Sequence, residues 1–158
     1  MVDVFEIGMS VCKWVVMIFI SWLFVVTANA GAMLQEINGQ EISFTDLRGQ
    51  WVFINYWASW CQPCLDEISE LNRFHENNKK VALFAVNYEA LPTQMQKQLI
   101  KQFDIHYPSL KKDPAHALKL ENIRGIPVTF VFNPQGELSD TLYGAQTMDS
   151  LREVIASN

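Results

Sequence analysis

The sequence predicts an α/β fold in which a mixed central β-sheet is flanked by helices on both faces. Three observations support this prediction. Apolar, β-branched segments alternate with amphipathic segments of helical period. Strands joined by helices favour a parallel sheet, and the dipeptide Asn38-Gly39 indicates a β-hairpin near the start of the domain. The 158 residues suffice for one domain with a hydrophobic core, and they contain no internal repeat and no interdomain linker.

The first predicted elements are the hairpin, a buried strand and a helix. We expect the hairpin, within residues 34–50, to add an antiparallel part to the sheet. Residues 51–57 ("WVFINYW") have the apolar and aromatic character of a buried strand. The helix that follows is expected to begin at Cys61 or Gln62, because Pro63 suits a first turn, where its missing N–H costs no hydrogen bond.

The remaining elements continue the alternation of strands and helices. We predict a strand at 81–89, a helix at 93–104, a short helix at 113–123, strands at 128–132 and 137–144, and a C-terminal helix at 147–157. Asp113 is the expected cap of the short helix, and Thr147 is the expected cap of the last one. This order predicts a single mixed sheet with one parallel part and one antiparallel part.

Residues 1–30 differ in composition from the rest of the chain. After Lys13, the apolar run 14–26 contains no charged residue. Its length is below the roughly 20 residues of a membrane span and within the roughly 7–15 residues of a signal-peptide core. A small-x-small triplet ("ANA") then ends at Ala30, as at a cleavage site. We therefore expect residues 1–30 to be a signal peptide or an N-terminal membrane anchor, and residues 31–158 to be an exported domain.

Export makes the cysteine content informative. Cys12 lies in the export segment, so the domain itself keeps only Cys61 and Cys64. A pair this close in sequence removes little chain entropy and is a poor structural staple. A structural zinc site needs two further ligands, and none of the histidines (His75, His106 and His116) forms a second ligand pair at the required spacing. The sequence therefore predicts no metal site and favours redox chemistry.

The position of the two cysteines at a helix start explains what they can do. With Cys61 at the N-cap, its thiol is expected to face solvent, whereas Cys64 is expected to lie under the first turn. Free N–H groups and the helix dipole favour a negative charge at Cys61 and lower the pKa of its thiol. The Cys61 thiolate can then attack a partner disulfide, and Cys64 can resolve the mixed disulfide.

Two distant segments resemble the signatures of one protein family. "NYWASWCQPC" is similar to the active-site segment of thioredoxin, and "RGIPVTFVFNPQGEL" is similar to its second signature. The resemblance runs from about Leu34 to the C-terminus. The export segment and the pattern "CxPCxxE" resemble, more narrowly, the TlpA/ResA-like thiol-disulfide oxidoreductases of the thioredoxin superfamily. This resemblance implies a thioredoxin-like fold and an enzyme that exchanges thiols and disulfides in proteins.

The resemblance also assigns roles to individual residues. It implies that Cys61 is the nucleophile, that Cys64 is the resolving thiol, and that Pro127 is a cis-proline facing them. Ile126 is then expected to present its backbone to an extended substrate. Glu67 matches an acidic residue that exchanges a proton with Cys64 and raises the pKa of the cysteines. The alternatives are a solvated first-turn acid for Glu67 and a strand-start proline for Pro127.

Substrate contacts and neighbouring acids complete the expected site. Trp60 is expected at the rim, and Gln62 and Pro63 are expected to contact substrate. Thioredoxin has a buried aspartate where this chain has Asn55, and an amide cannot act as a base, which leaves more of the proton transfer to Glu67. The two other acids of this helix, Asp66 and Glu70, are expected to be plain surface acids.

The expected activity is the reduction of disulfides in client proteins. A reductase in an oxidising periplasm needs electrons, and the resemblance implies a membrane thiol reductant as donor. Apocytochrome c and copper-site assembly proteins are family-level expectations for the clients. A disulfide oxidase or isomerase, and a Cu(I) delivery module using the same cysteines, remain alternatives. The net charge of -5 without a basic patch argues against nucleic acid, no cofactor motif is present, and a monomer is expected.

Overall fold

The computed structural model describes residues 31–120 and 123–157. The predicted export segment lies outside the described residues. The strands are β1 (Met33–Gln35), β2 (Glu41–Ser43), β3 (Trp51–Trp57), β4 (Val81–Asn87), β5 (Ser109–Leu110), β6 (Val128–Phe132) and β7 (Leu138–Tyr143). The helices are α1 (Gln62–Asn77), α2 (Thr93–Gln102), α3 (Ala115–Leu118) and α4 (Met148–Ser157), with a 3-10 helix at Phe44–Leu47.

A five-stranded mixed sheet in the order β5-β4-β3-β6-β7 forms the centre of the domain. Strand β3 pairs in parallel with β4 and antiparallel with β6, which in turn pairs antiparallel with β7. The predicted mixed sheet is therefore confirmed. The central position of β3 agrees with its sequence, because a strand with neighbours on both edges and helices or loops on both faces must be apolar nearly throughout.

The N-terminal hairpin does not extend the central sheet, contrary to our expectation. Strands β1 and β2 form a separate two-stranded sheet, and the antiparallel part of the central sheet comes from β6 and β7. The hairpin strands are three residues long and pair with each other. The hairpin meets β5 at an isolated antiparallel bridge between Glu36 and Leu110. Hydrogen bonds from the Ile37 N–H to the Ser109 carbonyl at 2.8 Å and from the Lys111 N–H to the Gln35 carbonyl at 2.7 Å flank this bridge. Strand β5, two residues long, was not predicted because a strand this short has no detectable period.

Two hydrophobic cores lie on the two faces of the sheet, because successive residues of β3 point in opposite directions. Phe53 and Trp57 belong to the core under α1, α2 and α4. Ile54 and Tyr56 belong to the core covered by α3, the 3-10 helix and the hairpin. Helices on both faces are thus confirmed, although the three longer helices share one face. Within the described residues, no helix is long and apolar enough to cross a membrane.

Candidate active site

The two cysteines lie where β3 ends and α1 begins. Cys61 is the N-cap of α1 in extended backbone conformation, and the Cys64 N–H donates to its sulfur at 3.3 Å. The two residues form a disulfide with a Cα–Cα distance of 5.3 Å. Cys64 is fully buried, and Cys61 is only 5% exposed. The prediction that Cys61 faces solvent is therefore wrong for the disulfide form, since the bond to Cys64 draws its sulfur against the first helical turn.

Glu67 lies one turn further along α1, on the same side as Cys64. Its side chain is only 2% exposed, so the alternative of a solvated first-turn acid is wrong. One carboxylate oxygen accepts a hydrogen bond from the Asn55 side-chain amide at 2.7 Å. The other accepts from the Gln146 backbone N–H, also at 2.7 Å. The carboxyl group is therefore held from the sheet on one side and from the segment before α4 on the other.

Burial decides the protonation of Glu67. Desolvation raises the pKa of its carboxyl group to about 7, although the hydrogen bonds from Gln146 and Asn55 favour the charged form and act in the opposite direction. Near neutral pH the group is therefore close to half-protonated. Such a carboxyl group can both accept and donate a proton, which is what a general acid–base catalyst requires.

A short polar network supports Glu67 from within the sheet. Asn55 is completely buried, and its amide also donates to the Thr129 hydroxyl at 3.1 Å. The Tyr107 hydroxyl donates to the side-chain oxygen (Oδ1) of Asn55 at 3.5 Å. Burial and the nearby charge of Glu67 raise the pKa of Tyr107 well above its ordinary value, so the hydroxyl stays protonated. Asn55, which cannot act as a base itself, orients the residue that can.

Pro127 lies at the same edge of the sheet as the cysteines. Tyr56 of β3 is paired with Val128 of β6 in an antiparallel register. Pro127, the residue before Val128, therefore lies opposite the end of β3. The Ile126–Pro127 peptide bond is cis, as the resemblance implied. The Pro127 carbonyl accepts a hydrogen bond from the Gly144 N–H at 2.9 Å, which ties the start of β6 to the end of β7.

The predicted rim residues are on the surface around the disulfide. Trp60 is 67% exposed, and Gln62 and Pro63 are exposed as well. The Gln62 amide donates to Asp66 at 2.8 Å, so Asp66 is a surface acid, as predicted. Glu70 is not a plain surface acid, because it is partly buried and accepts from the Met148 N–H at 3.0 Å. It therefore anchors the first turn of α4, a contact between segments far apart in sequence.

Sequence reasoning missed two residues that contact the site, Tyr107 and Glu89. Tyr107 lies in the loop before β5, where nothing in the local sequence indicates that it reaches the centre of the sheet. Glu89 follows β4 and accepts hydrogen bonds from Ser59, two residues before Cys61. A signal for Glu89 was available, because the carboxyl ends of neighbouring parallel strands meet at one edge of a sheet.

Across residues 31–120 and 123–157, no group of three or more His, Cys, Asp or Glu side chains is arranged to hold an ion. His106 is engaged with the carboxylates of Asp104 and Glu76, at 3.0 and 3.3 Å, and these contacts raise the pKa of its imidazole.

Comparison with known proteins agrees with this fold and site. Residues 25–141 match the AhpC/TSA family, and the chain belongs to that family. It is 27% identical to the thiol-disulfide oxidoreductase ResA of Bacillus subtilis (strain 168), over 77% of this chain and 68% of that protein. It is 25% identical to the sporulation thiol-disulfide oxidoreductase A of the same organism, over 77% and 75%.

Solved structures show the same architecture. The crystal structure of StoA from Bacillus subtilis has a TM-score of 0.64 and 28% sequence identity, covering 77% of this chain and 92% of that one. The exposed lipoprotein thioredoxin Etrx1 from Streptococcus pneumoniae has a TM-score of 0.69 at 20% identity, covering 80% and 98%, and shows the fold alone. The chain thus has a thioredoxin-like fold with a Cys61–Cys64 disulfide, and it is a thiol-disulfide oxidoreductase similar to ResA and StoA.

Proposed function

We propose that this protein reduces disulfides in exported client proteins through dithiol exchange at Cys61 and Cys64. The observation that supports the reducing direction is the buried carboxyl group of Glu67, whose pKa is raised to about 7. A carboxylate one turn from a thiol disfavours the thiolate, because two negative charges repel each other. A strong disulfide oxidant depends instead on a stabilised reduced form.

The first step is attack by Cys61. Its thiolate attacks one sulfur of the client disulfide, so that a Cys61–client disulfide forms while the client disulfide breaks. The leaving client thiolate takes a proton from solvent. The position of Cys61 at the N-terminus of α1 supports this role, since the helix end stabilises a negative charge there.

The second step is resolution by Cys64. Glu67 accepts the thiol proton of Cys64, and the resulting thiolate attacks the sulfur of Cys61. The Cys61–Cys64 disulfide forms, the mixed disulfide breaks, and the second client sulfur leaves as a thiolate that takes a proton from solvent. Two electrons have then passed to the client. A membrane dithiol reductant restores both thiols and becomes oxidised in turn.

Client binding is assigned to the surface around the disulfide. The exposed side chains of Trp60, Gln62 and Pro63 form the rim that an incoming chain meets first. The backbone of Ile126, before the cis-Pro127 bond, is assigned to an extended client segment. Proteins awaiting haem or metal insertion, such as apocytochrome c or copper-site assembly proteins, are the proposed clients, because their metal-site cysteines must be reduced before use.

Export is proposed on the basis of the N-terminal sequence. Residues 1–30 are proposed to carry the chain across the membrane as a signal peptide or to remain as an anchor, with the domain in the periplasm. The protein is proposed to act there as a monomer. Cell fractionation tests export, which a cytoplasmic protein would contradict. The N-terminal mass distinguishes a cleaved signal peptide from a retained anchor, and size-exclusion chromatography tests the monomer.

The reduction potential of the Cys61–Cys64 pair tests the direction of transfer. We expect a value near that of thioredoxin, about -270 mV, or somewhat above it. Trp57 and Trp60, beside the disulfide in sequence, are expected to report the titration by fluorescence. A value near about -120 mV would make the protein an oxidant and contradict the proposal. Copper retained by the reduced protein, without a reversible disulfide, would support Cu(I) delivery instead.

A further inference from the structure

A forked hydrogen bond connects the active-site loop to the neighbouring strand. The Ser59 backbone N–H donates to one carboxylate oxygen of Glu89 at 2.7 Å. The Ser59 hydroxyl donates to the other oxygen at 2.9 Å. Both oxygens of Glu89 are thus used on one residue, and that residue lies two positions before Cys61. Thiol exchange at Cys61 does not by itself require this contact.

The end of β4 directs Glu89 toward the loop. The last residue of β4, Asn87, is paired with Trp57 at the end of β3. The side-chain oxygen (Oδ1) of Asn87 accepts from the Glu89 N–H at 3.1 Å, and its side-chain amide donates to the Glu89 carboxylate at 3.1 Å. The Tyr88 N–H donates to the Trp57 carbonyl at 2.8 Å and extends the ladder by one residue. The contacts with Asn87 therefore orient the Glu89 carboxylate toward Ser59 in the active-site loop.

The charge of Glu89 makes the contact strong. Burial alone would raise the pKa of its carboxyl group, but the hydrogen bonds from Ser59 and Asn87 outweigh burial and hold the pKa below its ordinary value. Glu89 is thus an anion at neutral pH. Hydrogen bonds from neutral donors to a carboxylate are stronger than bonds between neutral groups.

The loop that Glu89 contacts carries Trp60 and leads into Cys61. Between Trp57 and Cys61, Ala58 is fully buried whereas Trp60 is 67% exposed, so the chain turns outward at Ser59. Apart from the Ser59 contact, a 3.2 Å bond from the Cys61 N–H to the Ala58 carbonyl closes this turn. Without Glu89, two donors of Ser59 would turn to water, and the position of Trp60 relative to Cys61 would be less defined.

We propose that Glu89 is a positioning residue that holds the loop at Ser59 and so presents Cys61 and Trp60 to protein disulfides. This inference rests on the proposed exchange at Cys61 and adds a residue to it. Glu89 acts on the first step, capture of the client. A large disulfide substrate must meet the rim and the sulfur together, whereas a small aromatic disulfide needs the sulfur alone.

The test compares two disulfide substrates with the full-length reduced protein. One substrate is a synthetic peptide containing an oxidised Cys-x-x-Cys, and the other is 5,5′-dithiobis(2-nitrobenzoate). For Glu89→Ala, we expect the rate constant for the peptide to fall about 10-fold, while that for the small disulfide changes by less than about 2-fold. Ser59→Ala removes only the hydroxyl bond and is expected to give an intermediate loss. Glu153→Ala, which removes an exposed acid of α4, is the charge control and is expected to match the wild type.

The outcomes separate this inference from the proposed function. A wild-type protein that reduces neither substrate would overturn both. A Glu89→Ala variant that matches the wild type on the peptide, or loses equally on both substrates, would overturn the positioning role alone. Glu89→Gln, which keeps the length of the side chain and one acceptor oxygen, covers the case in which Glu89→Ala does not fold. It is expected to lose part of the peptide rate and to retain the small-disulfide rate.

Discussion

Two glutamates flank the active-site segment, and their environments have opposite effects on the same side chain. Glu67 lies one turn after Cys64 in α1, only 2% exposed, and burial raises its pKa to about 7. Glu89 lies two residues after the end of β4, partly exposed, and its hydrogen bonds lower its pKa. The difference shows that desolvation dominates when a carboxylate is sealed in the core, whereas N–H and O–H donors dominate near solvent.

The two environments suit two different steps. A carboxyl group that is half-protonated near neutral pH can exchange a proton, so Glu67 fits the resolution step at Cys64. A carboxylate that stays charged can hold a loop but cannot exchange protons at this pH, so Glu89 fits the capture step at Cys61. Three predictions test this division, in order of decreasing effect.

The largest effect is expected from Cys64→Ser. The variant should lose turnover completely, because the mixed disulfide can no longer be resolved from within the protein. Capture at Cys61 should continue, and the trapped complex should be visible by non-reducing electrophoresis. Adding Glu89→Ala to this variant should slow trapping, whereas adding Glu67→Gln should not slow it, because removing a carboxylate near the cysteines does not disfavour the Cys61 thiolate. Slower trapping with Glu67→Gln would contradict the division of roles.

The second effect is on stability as a function of pH. The folded pKa of Glu67 is raised from 4.5 to about 7, so its contribution is fully present below about pH 4.5 and is lost as the pH rises through 7. The loss is about 3 kcal/mol in the free energy of unfolding. Urea unfolding of the oxidised protein at pH 5 and pH 8 should show this decrease in the wild type and not in Glu67→Gln.

Glu89 should contribute with the opposite sign and in a different pH range. Its folded pKa is lowered, so its contribution is present above the unfolded pKa near 4.5 and is lost as the pH falls through the folded value. The free energy of unfolding, measured in urea as the pH falls below 4.5, should decrease more in the wild type than in Glu89→Gln, and the difference isolates this contribution. If the free energy of unfolding decreased equally in the wild type and the variants in both pH ranges, groups other than Glu67 and Glu89 would be the cause.

The third effect is on the rate of resolution. Glu67→Gln should slow the release of the client from the mixed disulfide near neutral pH by about 10-fold or more, because Cys64 loses its proton acceptor. Asp66→Asn, an exposed acid on the same turn of α1, is the matched control and should have little effect. Rapid-quench measurement of the released thiol gives the rate. Equal rates for both variants would exclude Glu67 from the proton transfer.

The parts of the site that could be predicted from the sequence are local. A buried strand followed directly by Cys-x-x-Cys and a helix fixes where the thiols lie, because only a few residues separate them. The resemblance of two segments to a known family added the prediction that Pro127 is a cis-proline, and the Ile126–Pro127 bond is cis. The errors in the fold were also local in origin, whereas the error at Glu70 came from its contact with Met148, 78 residues away. The hairpin strands and β5 are two or three residues long, which is too short for periodicity to show their partners.

What the sequence determined by itself is the fold class, the cysteine pair and the place of that pair at a helix start, since these depend on period, spacing and capping. The tertiary structure alone decided the chemistry around them. Glu67 meets Asn55, 12 residues away, and Gln146, 79 residues away. Glu89 meets Ser59 across 30 residues. The pKa of a carboxyl group follows from its burial and its hydrogen-bond donors, and both are set only when segments distant in the chain pack together.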